Sequence, residues 1–196
     1  MNRKLAVMAA ALVACASATK LTSVQVAQES PRAKFRNVLV VGLVKDPAAR
    51  QVYEYEMVKA LQAAGVQAAA SQALLPIGAP LTREALERLV AERGFDGAVV
   101  GRLVDARTEV RAVPPSGGAY TGFYGYSTWA YPVAYSPGYL ETTKTVVVET
   151  RAFRTAGGGA PVFAATSESV DPSSARDIGE PLANLVVDAL RKNGFV

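Results

Sequence analysis

The stretch NVLVVGLVKDPAARQVYEYEMVKAL, residues 37–61, decides the fold. Asn37 to Val44 is a nearly continuous apolar run, the pattern of a strand buried on both faces. Asp46 followed by Pro47 is an N-cap with proline at the first helical position. The helix then carries Val52, Tyr55, Val58 and Leu61 three apart, with Arg50, Glu54 and Lys59 on its other face. Gly65 stops it. A buried strand running straight into a helix opens a β-α-β unit.

Downstream the pattern repeats. Val66 to Leu74 is a second, weaker strand thinned by alanines. Thr82 is the next N-cap, with Leu81 and Leu86 as a hydrophobic staple, and the helix runs through Leu89 and Val90 to Gly94. Phe95 to Val104 returns to strand, and Asp105 to Val113 alternates enough to extend it. This order predicts parallel strands with right-handed crossovers. The second half changes character. Glu141 to Phe153 alternates around Val146, Val148 and Phe153, Gly157 to Gly159 turns the chain, and Val162 to Val170 follows. So short a loop makes this pair an antiparallel hairpin. A closing helix places Ile178, Leu182, Leu185, Val186, Ala189 and Leu190 on one stripe, with Pro181 marking either a kink or its true start. The expected fold is α/β with α+β character in its second half: a mixed sheet of about five strands and three helices, in two or three layers, over residues 36–196.

Composition narrows the chemistry. There is no histidine and one cysteine, so Cys/His zinc sites and Ser-His-Asp or Cys-His catalysis are excluded, as is an internal disulfide. No metal and no cofactor is expected. Gly42-Leu43-Val44-Lys45 lacks the glycine spacing of a dinucleotide or phosphate loop. Among the carboxylates, Asp96 and Asp105 are separated by roughly 30 Å along one strand, and Asp105 and Glu109 by about 13 Å. Neither spacing suits the 5–9.5 Å or so of a glycosidase pair. The formal charge of +4 includes Arg3 and Lys4, and without these the chain is mildly basic and has no cationic run for nucleic acid.

The amino terminus has its own logic. Asn2, Arg3 and Lys4 precede ten apolar residues, Leu5 to Ala14. A membrane span needs about 20 and a signal-peptide core about 7–15, so residues 1–14 are expected to be an export signal. Leu12-Val13-Ala14-Cys15 resembles a bacterial lipobox. The resemblance implies cleavage after Ala14, diacylglycerol on the Cys15 sulfur and an acylated amino terminus, several chains anchoring where one would not. Ala16, rather than Asp, after the cysteine implies sorting to the outer membrane, facing the periplasm. Cleavage by the general signal peptidase near Ala14, Ala16 or Ala18 is the alternative. Residues 15–35, rich in Ser, Thr, Gln and Ala, are expected to form a flexible tether. The S-x-x-K spacing at Ser17 to Lys20 is a chance match there.

Residues 114–140 form an insert in which Tyr120, Phe123, Tyr124, Tyr126, Trp129, Tyr131, Tyr135 and Tyr139 are interleaved with Gly, Pro and Ser. No helix or strand period survives. Such a loop is either a contact surface, since Tyr and Trp favour interfaces, or a low-complexity segment. It contains no Lys or Arg to accompany base stacking.

The element order on a lipid-anchored chain resembles a group of bacterial envelope lipoproteins. These include small lipoproteins of unknown function, the outer-membrane activator of a penicillin-binding protein and, in fold, the amino-terminal domain of the Tol-system β-propeller protein. The residues carrying the resemblance are Arg50-Gln51-Val52-Tyr53-Glu54, Gly101-Arg102-Leu103-Val104 and Val148-Glu149-Thr150. The anchor, the tether and the missing catalytic groups point to a non-catalytic periplasmic module that binds another envelope protein. The alternative is a small-ligand or peptidoglycan-fragment site in the crevice at the sheet's carboxyl edge, near Val44–Asp46 and Asp105. A carboxylate-based hydrolase is the third.

Overall fold

A computed structural model describes residues 18–28, 33–76, 80–113, 124, 139–156 and 159–196. Six strands, β1 (Ala18–Val26), β2 (Asn37–Leu43), β3 (Gln67–Ala70), β4 (Gly97–Val113), β5 (Tyr139–Arg154) and β6 (Pro161–Val170), form one mixed sheet in the order β1-β6-β5-β4-β2-β3. The helices are α1 (Pro47–Ala63), α2 (Ser71–Leu74), α3 (Arg83–Arg93) and α4 (Ala175–Lys192). The α/β class holds, with parallel β2, β3 and β4 and antiparallel β4, β5, β6 and β1. Cys15, Leu12 to Ala14 and the insert aromatics other than Tyr124 and Tyr139 lie outside the described residues.

The sixth strand corrects the expected tether over residues 15–35. Ala18–Val26 pairs antiparallel with β6 along nearly its whole length. Its register shifts between Leu21 and Ser23. A bulge of this kind moves the inward parity from odd to even positions: Leu21 packs on the core from one side of the shift and Val26 from the other. Simple alternation therefore fails along the strand.

Elsewhere the local chemistry acts as the sequence predicts. Asp46 accepts from Ala48 N (3.1 Å) and Ala49 N (3.3 Å) at the start of α1. Thr82 accepts from Ala85 N at the start of α3, and Gly94 closes that helix at φ 65°. α4 starts upstream of Pro181, at a reciprocal cap in which Ser174 and Asp177 satisfy each other's backbone N–H. Proline in the second turn lacks an N–H but leaves the helix continuous. The weak second strand stops at Ala70, and Ser71–Leu74 forms a helical turn instead.

α1 and α4 cover one face of the sheet, with Val38, Val40, Val99, Val148, Met57, Leu182 and Val186 in the larger core. α3 covers the other face over β2 and the first part of β4, where Leu39, Val41 and Phe95 pack on Leu86 and Val90, with Ala69 and Val100 beside them. The parallel half is thus three layers deep and the antiparallel half two.

α1 overturns the face assigned from its spacing. Tyr53, Glu54, Glu56, Met57, Ala60 and Leu61 are buried, and Tyr55 is exposed. The helix is hemmed in by the sheet, α2 and α4, so its buried arc is wide and takes in two carboxylates. Glu56 is 3% exposed and pairs with Lys59 (3.2 Å) and with Arg176 of α4 (3.4 Å).

Candidate functional site

The ends of β2 and β6, the starts of α1 and α4 and the outward run of β4 and β5 all meet at one end of the sheet. A crevice of about 460 Å³ opens there. Val44 and Asp46 supply one wall, Leu103 and Ala106 of β4 another, and Val146 and Val148 of β5 the floor. Ser174, Ile178 and Leu182 of α4 close the far side, and Lys144 is at the rim. This is the carboxyl edge of the parallel strands, where open α/β sheets commonly leave a binding crevice.

Tyr53 and Gly101 shape its inner end. A Cβ on Gly101 would lie 2.1 Å from the Tyr53 Cζ, so the glycine exists to admit the ring. The Tyr53 and Thr150 hydroxyls are both buried close together, and neither makes a well-formed hydrogen bond among the described residues. Burial pushes the phenol pKa up, and the nearby Thr150 hydroxyl opposes this more weakly.

Behind this wall lies a polar cluster that sequence spacing had placed in solvent. Glu54, 1% exposed, accepts through Oε1 from Gly42 N (2.9 Å), Arg50 Nε (2.9 Å) and Ser71 Oγ (2.8 Å). Its Oε2 accepts from Gln72 N (2.9 Å), and Arg50 Nη2 donates to Ser71 Oγ (2.9 Å). One carboxylate thereby ties β2, α1 and α2 together. Four donors thus converge on the carboxylate, three on Oε1 and one on Oε2.

The carboxylates weighed for hydrolysis are likewise in use. Asp96 accepts from Arg36 N (2.9 Å) and Asn37 N (3.0 Å), which pins the start of β2 beside that of β4. Arg107 joins Asp105 (2.9 Å) and Glu109 (3.0 Å) along one side of β4. Asp105 does not line the crevice, although Val44 and Asp46 do. Among the described residues, no three of His, Cys, Asp and Glu converge as metal ligands, and no helix is long and apolar enough to cross a membrane.

Beyond the crevice, β4 and β5 continue as the only paired strands among the described residues. β6 ends at Val170 opposite Thr145, and β2 ends at Leu43 opposite Arg102. The β4–β5 pairing persists from Thr108–Lys144 to Val113–Tyr139 as a two-stranded ribbon. Val110, Tyr139 and Leu140 are exposed along it, as is Tyr124 within the insert.

No family model and no curated protein matches the chain. Among solved structures it is similar to the PelC dodecamer from Paraburkholderia phytofirmans, with 16% identity over 89% of this chain and 96% of that one, and a TM-score of 0.48. A single-substitution variant of the same PelC, also a dodecamer, gives 14% identity over 91% and 99%, with a TM-score of 0.44.

Proposed function

We propose that this chain is a lipid-anchored, non-catalytic accessory module of the bacterial envelope. It is processed before Cys15, held at the outer membrane facing the periplasm, and acts by binding another envelope protein. The β4–β5 ribbon is the observation that carries this reading. A lone two-stranded ribbon in water is marginal, and among the described residues no strand flanks this one past Arg102 on the β4 side or, past the Asp171–Lys144 backbone bond, on the β5 side. A partner strand added to such an edge would satisfy its backbone groups. Tyr120, Phe123, Tyr124, Tyr126, Trp129, Tyr131, Tyr135 and Tyr139 are proposed to supply the partner contact. Crosslinking intact envelopes tests this: deleting residues 116–138 should remove at least one protein adduct. Identical adducts in wild type and deletion would sink it.

The crevice at Val44 and Asp46 favours a second reading, a small apolar-bodied ligand or peptidoglycan fragment seated against Val146 and Val148. The same crosslinking separates the two. An adduct that resists protease and yields to a muramidase would place the fragment, not a protein, on the chain.

A further inference from the structure

We propose that the ribbon end of the sheet stands against the bilayer, with the rungs Ala112–Leu140 and Val113–Tyr139 in the boundary between headgroups and acyl chains. This rests on the anchor at Cys15 proposed above. Two residues, Ala16 and Ser17, separate Cys15 from Ala18, the first residue of β1, and the three steps between them span at most about 10 Å. Strand register fixes which end of the sheet Ala18 occupies. It pairs with Val170, Val170 pairs with Thr145, and Thr145 pairs with Arg107. The anchored end is therefore the end from which the ribbon projects.

The ribbon is longer than the connection. From Thr108–Lys144 to Val113–Tyr139 it advances roughly 20 Å past the row that holds Ala18. A domain held within about 10 Å of the lipid cannot keep such a projection clear of the surface. It must meet the interface or lie along it. The composition of the ribbon suits that place. Arg111 sits opposite Glu141, the last charged rung, and the next two rungs are Ala112–Leu140 and Val113–Tyr139. Tyr139 and Leu140 are 65% and 70% exposed, and the Tyr139 hydroxyl is the one polar side-chain group on these two rungs. No charged residue occurs between Arg111 and Glu141, so no ionic group opposes the approach. Tyrosine beside aliphatic residues is the composition of a membrane–water boundary.

The lipidated full chain tests this, because acylation blocks its only cysteine and leaves a new thiol free for labelling. Ala112→Cys carries an environment-sensitive fluorophore at the ribbon tip. Gln67→Cys carries it at the opposite end of the sheet, at the start of β3. Both are reconstituted in phosphatidylethanolamine–phosphatidylglycerol vesicles containing a lipid spin-labelled high on its acyl chain. Mass spectrometry first establishes the acyl groups on Cys15. Quenching severalfold stronger at residue 112 than at 67 is expected. Equal, water-like emission from both sites on an acylated protein would overturn the apposition and leave the lipoprotein assignment standing. Absence of acyl mass would remove the anchor and the proposal with it.

Discussion

The two halves of the sheet use similar apolar strands and bury them differently. β2 and the first part of β4 lie between α1 and α4 on one face and α3 on the other, so Val38, Leu39, Val40, Val41 and Val99 are all within the core. β5 and β6 are covered on one face only. Val146, Val148 and Ala152 point inward, while Glu149 and Arg151 reach solvent on the open face. Two glutamates show what this difference does to charge. Glu54, in the closed half, accepts four hydrogen bonds from four different residues. Glu149, in the open half, is held by Arg102 (2.9 Å) and Arg151 (2.7 Å) with water at hand. A carboxylate in a three-layer region must be fully bonded to be tolerated, whereas one on a two-layer region is stabilised in part by solvent.

The largest effect expected from this contrast is at Glu54. Glu54→Ala strands the Arg50 guanidinium and the N–H groups of Gly42 and Gln72 without their acceptor. Removing one partner of a buried, bonded charge costs about 3–5 kcal/mol, so the urea midpoint should fall steeply. Glu149→Ala, at an exposed pair, should lose no more than about 1 kcal/mol. Equal losses in urea melts would break the comparison between the halves.

The contrast also governs what could be read in advance. β2 was legible because a strand buried on both faces needs an unbroken apolar run. The β5–β6 hairpin was legible because its one-sided burial produces alternation and its turn is glycine. The caps at Asp46, Thr82 and Gly94 act locally and were visible for that reason. β1 was not, since its register shift between Leu21 and Ser23 flips the parity that alternation depends on. Glu54 was misplaced because α1 packs on three sides, and a helix so enclosed has no single apolar stripe. Of the crevice, Val44 and Asp46 followed from the strand-to-helix order. Tyr53 over Gly101, and Ser174 of α4 beside them, depend on contacts between distant segments that no local pattern encodes. One signal was available: a glycine inside the apolar run Gly97 to Val104 marks a close approach.

That approach is the second place to strain the comparison. Gly101 lies where the parallel and antiparallel halves join, paired with Gly42 on one side and Thr150 on the other. Gly101→Ala drives a methyl group into the Tyr53 ring, which must shift to admit it. Overpacking of this kind costs about 1–3 kcal/mol. Tyr53→Phe should cost almost nothing, because the hydroxyl it deletes makes no well-formed hydrogen bond among the described residues. Thermal melts of both variants check the pair. A destabilised Tyr53→Phe would mean that the phenol is bonded in solution.

The smallest effect concerns pH and belongs to the open half. Hydrogen bonds from Arg151 and then Arg102 hold the Glu149 carboxyl below the usual carboxylate range. Its folded pKa is therefore lower than its unfolded one, so the pairing stabilises the fold fully above the unfolded value near 4.3 or so. That stabilisation is lost as the pH falls through the lower, folded value. The carboxylate is on the solvated face, so the whole term should not exceed the 0.2–1 kcal/mol or so of an exposed ion pair. Urea melts of wild type and Glu149→Gln at pH 7 and near pH 3 measure it. The difference between the two proteins should be larger at pH 7 and shrink toward zero in acid. Added salt should reduce it further, because a pair open to water is screened. A gap that persisted undiminished at low pH would show that Glu149 contributes by packing rather than by charge, and that the open face is drier than its exposed arginines imply.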